Sequence, residues 1–193
     1  MWRLPVAYLV LVAGLCAALV STLEPGTAEV RAVVRATAFT SAVAFLPAFA
    51  ASALHRLWPG SASRWLVANR RYLGLSVAAS HFWHLAALVT LAVLLPAFVA
   101  GIPMVTLVFG GAGFMLLGLM AATSNDASQR ALGRAWGWLH TLGVYVLWLD
   151  FTVTYAGPAA SSAFHAVMTL VFFAAVGLRA AAWSARRAAT GRS

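Results

Sequence analysis

"RRYLGLSVAASHFWHL", residues 70–85, decides the fold. Two arginines are followed at once by an apolar run that continues to Pro96. A helix needs about 20 apolar residues to cross a bilayer, and this run supplies them. His81 and His84 stand inside it, three residues apart and so on one helix face. Ionisable side chains at membrane depth are costly, and each is a functional-site hypothesis by default.

The rest of the chain has the same character. It is 63% hydrophobic and 9% charged, with mean hydropathy +0.88. A soluble domain carries about a quarter charged residues, so this composition cannot cover a water-facing surface. The sequence predicts one all-α integral membrane domain over residues 1–193, a bundle of six transmembrane helices. The spans read as Pro5–Leu23, Val30–Leu54, Tyr72–Pro96, Ile102–Ala122, Trp136–Tyr155 and Ala159–Trp183. The breaks between them are "EPGTAE", "WPGSASRWLVANRR", "AFVAG", "TSNDASQRALGR" and "AGPAAS". The first run reads as a retained span, because it is longer than the apolar core of a signal peptide.

All 13 basic residues are arginine, and the Ala- and Arg-rich composition suggests a bacterial genome rich in G and C. A pI near 11.5 raises nucleic acid as a partner. Nucleic acid is set aside, because the arginines fall at the ends of apolar runs, where topology requires them. With the N-terminus inside, eleven of the 13 lie on the inner side and only Arg31 and Arg35 on the outer. That asymmetry predicts cytoplasmic N- and C-termini and residence in the cytoplasmic (inner) membrane. Cys16 is the one cysteine and lies inside the first apolar run, where it reads as inert packing. "GGAGF", residues 110–114, lies within an apolar span without a preceding strand. It therefore reads as close helix packing rather than a nucleotide loop. No stretch reads as a flavin or nicotinamide module.

The polar candidates at membrane depth are His81, His84, His140, Asp150 and His165, with His55 at the boundary of span two. Neutral imidazole is the common haem and metal ligand. A single buried imidazole ordinarily just bonds a neighbouring helix, whereas two on one turn shift the reading toward function. On span five Gly143, Asp150 and Thr154 form a stripe at helical spacing, with His140 about 60° away. The glycine in that stripe is expected to leave room for something flat or bulky.

"RRYLGL" followed by His84 resembles the third span of the ferric-reductase-like transmembrane family. That family includes the STEAP metalloreductases, the NADPH oxidase membrane domain and the haem subunit of the bacterial periplasmic methionine sulfoxide reductase. "ATSNDASQRALGRAWGWLHTLGVY" resembles the family's approach to span five, and "HAVMTLVFFAAVGLRA" its last span. The resemblance covers most of residues 70–179. It implies b-type haem held between spans three and five, with electrons passed across the membrane.

Residue by residue, the resemblance makes His84 the outer ligand of span three and His140 the inner ligand of span five. The outer ligand of span five falls on Val153, which cannot bind iron, and the inner ligand of span three falls near Arg70 and Arg71. In this register His84 is level with Val153, and His140 lies about 20 Å deeper. His165 is near the depth of His84 and is another partner for it. His81 is level with Asp150, which suggests a hydrogen-bonded pair. His55 and His140 match in depth at the inner side. Arg31 and Arg35 share a face of span two within reach of haem propionates, whereas Arg70 and Arg71 read as topology anchors.

The expectation is a haem b protein carrying electrons across the membrane, with His84 its key ligand and quinol or a separate flavoprotein as donor. The alternatives are a haemless scaffold or partner-binding subunit of the same fold, and a small transporter using Asp150 and the histidines.

Overall fold

The computed structural model describes residues 3–23 and 26–190. Glu24 and Pro25 of the first break and Arg192 of the topology count lie outside them. Eight α-helices follow one another, and no strand occurs among the described residues. They are α1 (Arg3–Thr22), α2 (Thr27–Leu57), α3 (Ser61–Leu94), α4 (Pro96–Ala100), α5 (Met104–Ala122), α6 (Asp126–Leu132), α7 (Arg134–Ala156) and α8 (Ala163–Thr190).

Five of them, α1, α2, α3, α5 and α8, are long and apolar enough to cross a membrane. The chain is therefore a multi-pass membrane protein in its architecture. The fifth expected span, α7, has the length but is not among the five. Its tryptophans, tyrosines and threonines, with His140 and Asp150, dilute its hydropathy.

Three expected breaks contain helix. Most of "WPGSASRWLVANRR" belongs to α3, because only Pro59 and Gly60 disfavour a helix there. At 34 residues α3 is about 50 Å long, well beyond a hydrocarbon core of about 30 Å. "AFVAG" folds as α4, with Pro96 at its first turn. "TSNDASQRALGR" folds as α6, whose N-cap Asn125 accepts from the Ser128 amide at 2.8 Å. Gly133, at φ 51°, then turns the chain into α7, a conformation that favours glycine.

The main packing pair is α2 against α3, with α1 laid over both. Small residues and hydroxyls allow the close approach. Ser80 of α3 bonds Thr40 Oγ1 at 2.8 Å and Ser41 Oγ at 3.0 Å. Tyr8 of α1 donates to the Thr40 carbonyl. On the other side α5 packs on α7, and α7 on α8. An aromatic cluster of Phe45, Phe49, Phe151, Tyr155 and Phe172 joins α2, α7 and α8. A cavity lies between α2, α3, α5, α7 and α8.

Candidate functional site

The cavity has a volume of about 320 Å³. Its walls are apolar, from Phe45 and Phe49 on α2, Val77 on α3, Leu117 and Met120 on α5, and Leu147 on α7. One end is cationic. Arg70, Arg71 and Arg179 line it, and no carboxylate does.

Each guanidinium is oriented. Arg70 donates to Ser52 Oγ at 3.2 Å. Arg179 donates to the Phe49 carbonyl at 2.8 Å and to Tyr145 Oη at 3.2 Å. It also stacks over the Phe49 ring at 4.5 Å. Arg71 reaches out of the cavity to Asp126, the first residue of α6. The Arg71 hydrogen bond and charge hold the Asp126 carboxyl below its usual range. A carboxyl depressed on folding stabilises above its unfolded pKa and loses that contribution as pH falls through its folded value. Acidifying through the carboxylate range should therefore loosen α6, and Asp126→Asn should erase that step in an acid titration of thermal stability. The pair is exposed, so the step should be small.

His140 stands on the α7 wall. Its ring stacks on Trp136 at 4.1 Å, one turn earlier. Its Nε2 lies 3.2 Å from Thr123 Oγ1, whose proton is directed to the Leu119 carbonyl at 2.7 Å. His140 Nε2–H is thus the donor, and Nδ1 keeps its lone pair. The indole of Trp136 donates to the Thr123 carbonyl at 2.9 Å and fixes the same corner.

His81 and His84 form a second cluster, outside the cavity lining. Their rings lie 5.2 Å apart, and Phe114 of α5 stacks on His81 at 4.6 Å. His84 Nδ1 lies 3.1 Å from the Val34 carbonyl and 3.2 Å from Thr37 Oγ1. A carbonyl only accepts, so Nδ1 carries the proton and Nε2 holds the free lone pair. His81 is 5% exposed, and its Nδ1 has no hydrogen-bond partner among the described residues.

The expected His81–Asp150 pair is not formed. Asp150 faces α5, where a Cβ on Gly113 would lie 3.2 Å from its Oδ2, and His81 turns to Phe114 instead. Depth in the membrane was matched, but the directions of the two side chains around their helices were not. An unpartnered buried nitrogen costs about 1–3 kcal/mol. His81→Leu should therefore leave the fold as stable as the parent or more so in a detergent melt. A loss above about 1 kcal/mol would mean that His81 has a polar partner.

The remaining candidates separate. His165 opens α8, with Nδ1 2.9 Å from Ser162 Oγ and its ring beside Tyr155 and Phe164. It is a helix-start residue rather than a partner of His84. His55 Nδ1 pairs with Ser63 at the α2–α3 turn, at 3.1 Å, so it does not meet His140. Val153 is 63% exposed and faces away from the bundle. Arg31 lies over the Phe98 ring at 5.5 Å, and Arg35 is exposed. The room expected beside Gly143 is filled by Met120, whose sulfur would lie 2.5 Å from a Cβ there.

Arg70 and Arg71 read as anchors, but they line the cavity together with Arg179 of α8. The signal for the His140 corner was present as "WGWLH", which sets Trp136 and His140 one turn apart. Among the described residues no three His, Cys, Asp or Glu side chains come together to hold a metal ion. The cavity instead presents apolar walls, arginine side chains and one imidazole, that of His140. No family model, curated protein or solved structure matches the chain.

Proposed function

We propose that this chain is a b-type haem protein of the ferric-reductase-like kind that carries electrons across the cytoplasmic membrane. The observation that supports the reading is the cavity, with one imidazole in its apolar wall and the arginines Arg70 and Arg179 beside it. His140 would bind the iron, and Arg70 and Arg179 would hold the propionates through charge-assisted hydrogen bonds. Phe45, Leu117 and Leu147 line the slot with apolar surface. Haem supplies one-electron chemistry when bound, and the protein sets its orientation and potential. Quinol or a separate flavoprotein would be the donor.

The full chain, produced with haem in excess and purified, should give a stoichiometric pyridine haemochrome spectrum. A colourless protein favours the second reading, a haemless scaffold. Two observations speak for that reading: Phe114 covers His81, and Met120 fills the notch at Gly143.

The same proposal includes α7 as a sixth span and both termini in the cytoplasm, supported by the eleven-to-two arginine split. Reporters fused after Ala100 and Gly157 should read the outer side. Those after Ser61 and Asp126 should read the inner side. A reversed pattern would move the arginine end of the cavity to the outer face.

A further inference from the structure

We infer that, in the chain without haem, the cavity is the seat of a membrane acid with one acyl chain. Its acidic head lies against Arg70 and Arg179 and its chain in the apolar slot. The inference does not rest on the haem reading, since it needs only charge and apolar surface.

The charge comes first. The chain holds 13 arginines and four acidic residues. Arg71 is paired with Asp126. Glu29 is turned to the Gly26 amide at the start of α2, and Asp150 faces Gly113 of α5. Glu24 lies outside the described residues. Arg70 and Arg179 thus line one cavity with no carboxylate in its lining, and their charges repel each other. Two like charges beside a low-dielectric space call for an anion. Both guanidiniums are held in place. Arg70 bonds Ser52 Oγ, and Arg179 bonds the Phe49 carbonyl and Tyr145 Oη. A guanidinium has more N–H donors than these bonds use, and the fork of the remainder matches a carboxylate or a phosphate.

The shape selects a lipid over a soluble anion. Arg70 stands just before the apolar run that begins at Tyr72, so the arginine end lies at the membrane boundary. From there the lining passes along α3 to Val77, about 10 Å further on, and along α7 from Trp136 to Leu147, about 16 Å. Phe45 and Leu117 face the same space. A small anion would leave this apolar length unfilled. At about 320 Å³ the cavity is at the low end of ligand pockets, which suits one acyl chain rather than two. Basic pockets between membrane helices bind acidic lipid heads by the same chemistry.

The test uses the full chain purified in a neutral detergent without added haem, titrated with oleate and followed by native mass spectrometry. One oleate per chain should bind saturably. Oleyl alcohol has the chain without the charge, and acetate the charge without the chain. Each should bind at least about tenfold more weakly. Arg70→Gln and Arg179→Gln should each weaken oleate at least about tenfold, and Arg64→Gln, outside the cavity, should leave it unchanged. Arg70 bonds only an exposed serine hydroxyl, so Arg70→Gln decides the matter if Arg179→Gln does not purify. In a parallel titration 1-oleoyl lysophosphatidate tells a phosphate head from a carboxylate, the tighter of the two naming the head.

Oleyl alcohol binding as tightly as oleate would overturn the inference. So would uptake of many oleates without saturation, or unchanged oleate affinity in Arg70→Gln. A parent chain that takes up haem but neither acid would overturn it and leave the haem reading standing. A chain that takes up one acid and no haem would overturn the haem reading and leave this inference standing.

Discussion

His140→Ala should give a chain that inserts, folds and purifies without pigment. Residues that hydrogen-bond a metal ligand are worth about 10–100-fold in affinity, so loss of the ligand itself should cost more than about a hundredfold. The fold should survive, because His140 is held by a ring stack and one hydrogen bond to Thr123. It takes no part in the aromatic cluster that joins α2, α7 and α8. Trp136 keeps its own bond to the Thr123 carbonyl and preserves the corner. His84→Ala is the matched control. His84 does not line the cavity, so pigment content should hold. If His84→Ala bleaches the protein and His140→Ala does not, the haem sits at the His81–His84 cluster. The free Nε2 of His84 would then be the ligand, as the family resemblance implies.

Hydropathy located five of the membrane helices but could not place their ends. Arginines at positions 70 and 71 read as a boundary, yet α3 begins nine residues before Arg70. Nothing between Gly60 and Arg70 disfavours a helix, and a charged turn beyond the apolar run leaves no mark on a hydropathy profile. Two of the three residues of the α7 stripe face α5: Gly143 meets Met120 and Asp150 meets Gly113, whereas Thr154 is exposed. Their meaning was not legible, because spacing gives a face and not its neighbour. Depth matching failed in the same way. It put His81 level with Asp150, but a bond also needs both side chains to point at each other, and that depends on how each helix is rotated. Arginine residues far apart in sequence could not be grouped at all until α3 and α8 were brought to one cavity.

Phe172→Ala should destabilise the bundle by about 3 kcal/mol. In a bilayer, moving an apolar ring from protein to lipid yields little, so the core is held by packing rather than by escape from water. Phe172 is 0% exposed on α8. Its ring stacks with Phe151 at 5.6 Å, Tyr155 at 5.8 Å and Phe45 at 6.2 Å. Each such pair is worth about 0.5–1.5 kcal/mol, and truncation removes all three together. Leu170, two residues earlier and 67% exposed, faces outward, and Leu170→Ala should change stability by less than about 0.5 kcal/mol. Equal losses in a detergent unfolding titration would mean that the aromatic cluster is not the core. The effect should reach the cavity as well. Arg179 lies seven residues beyond Phe172 on the same helix, about 10 Å away. Its guanidinium is set by Phe49 and Tyr145, and both Phe49 and Tyr145 belong to helices that Phe172 holds together. Loosening α8 should therefore release Arg179 from the Phe49 carbonyl and weaken pigment retention, even though no residue of the α7 wall has changed.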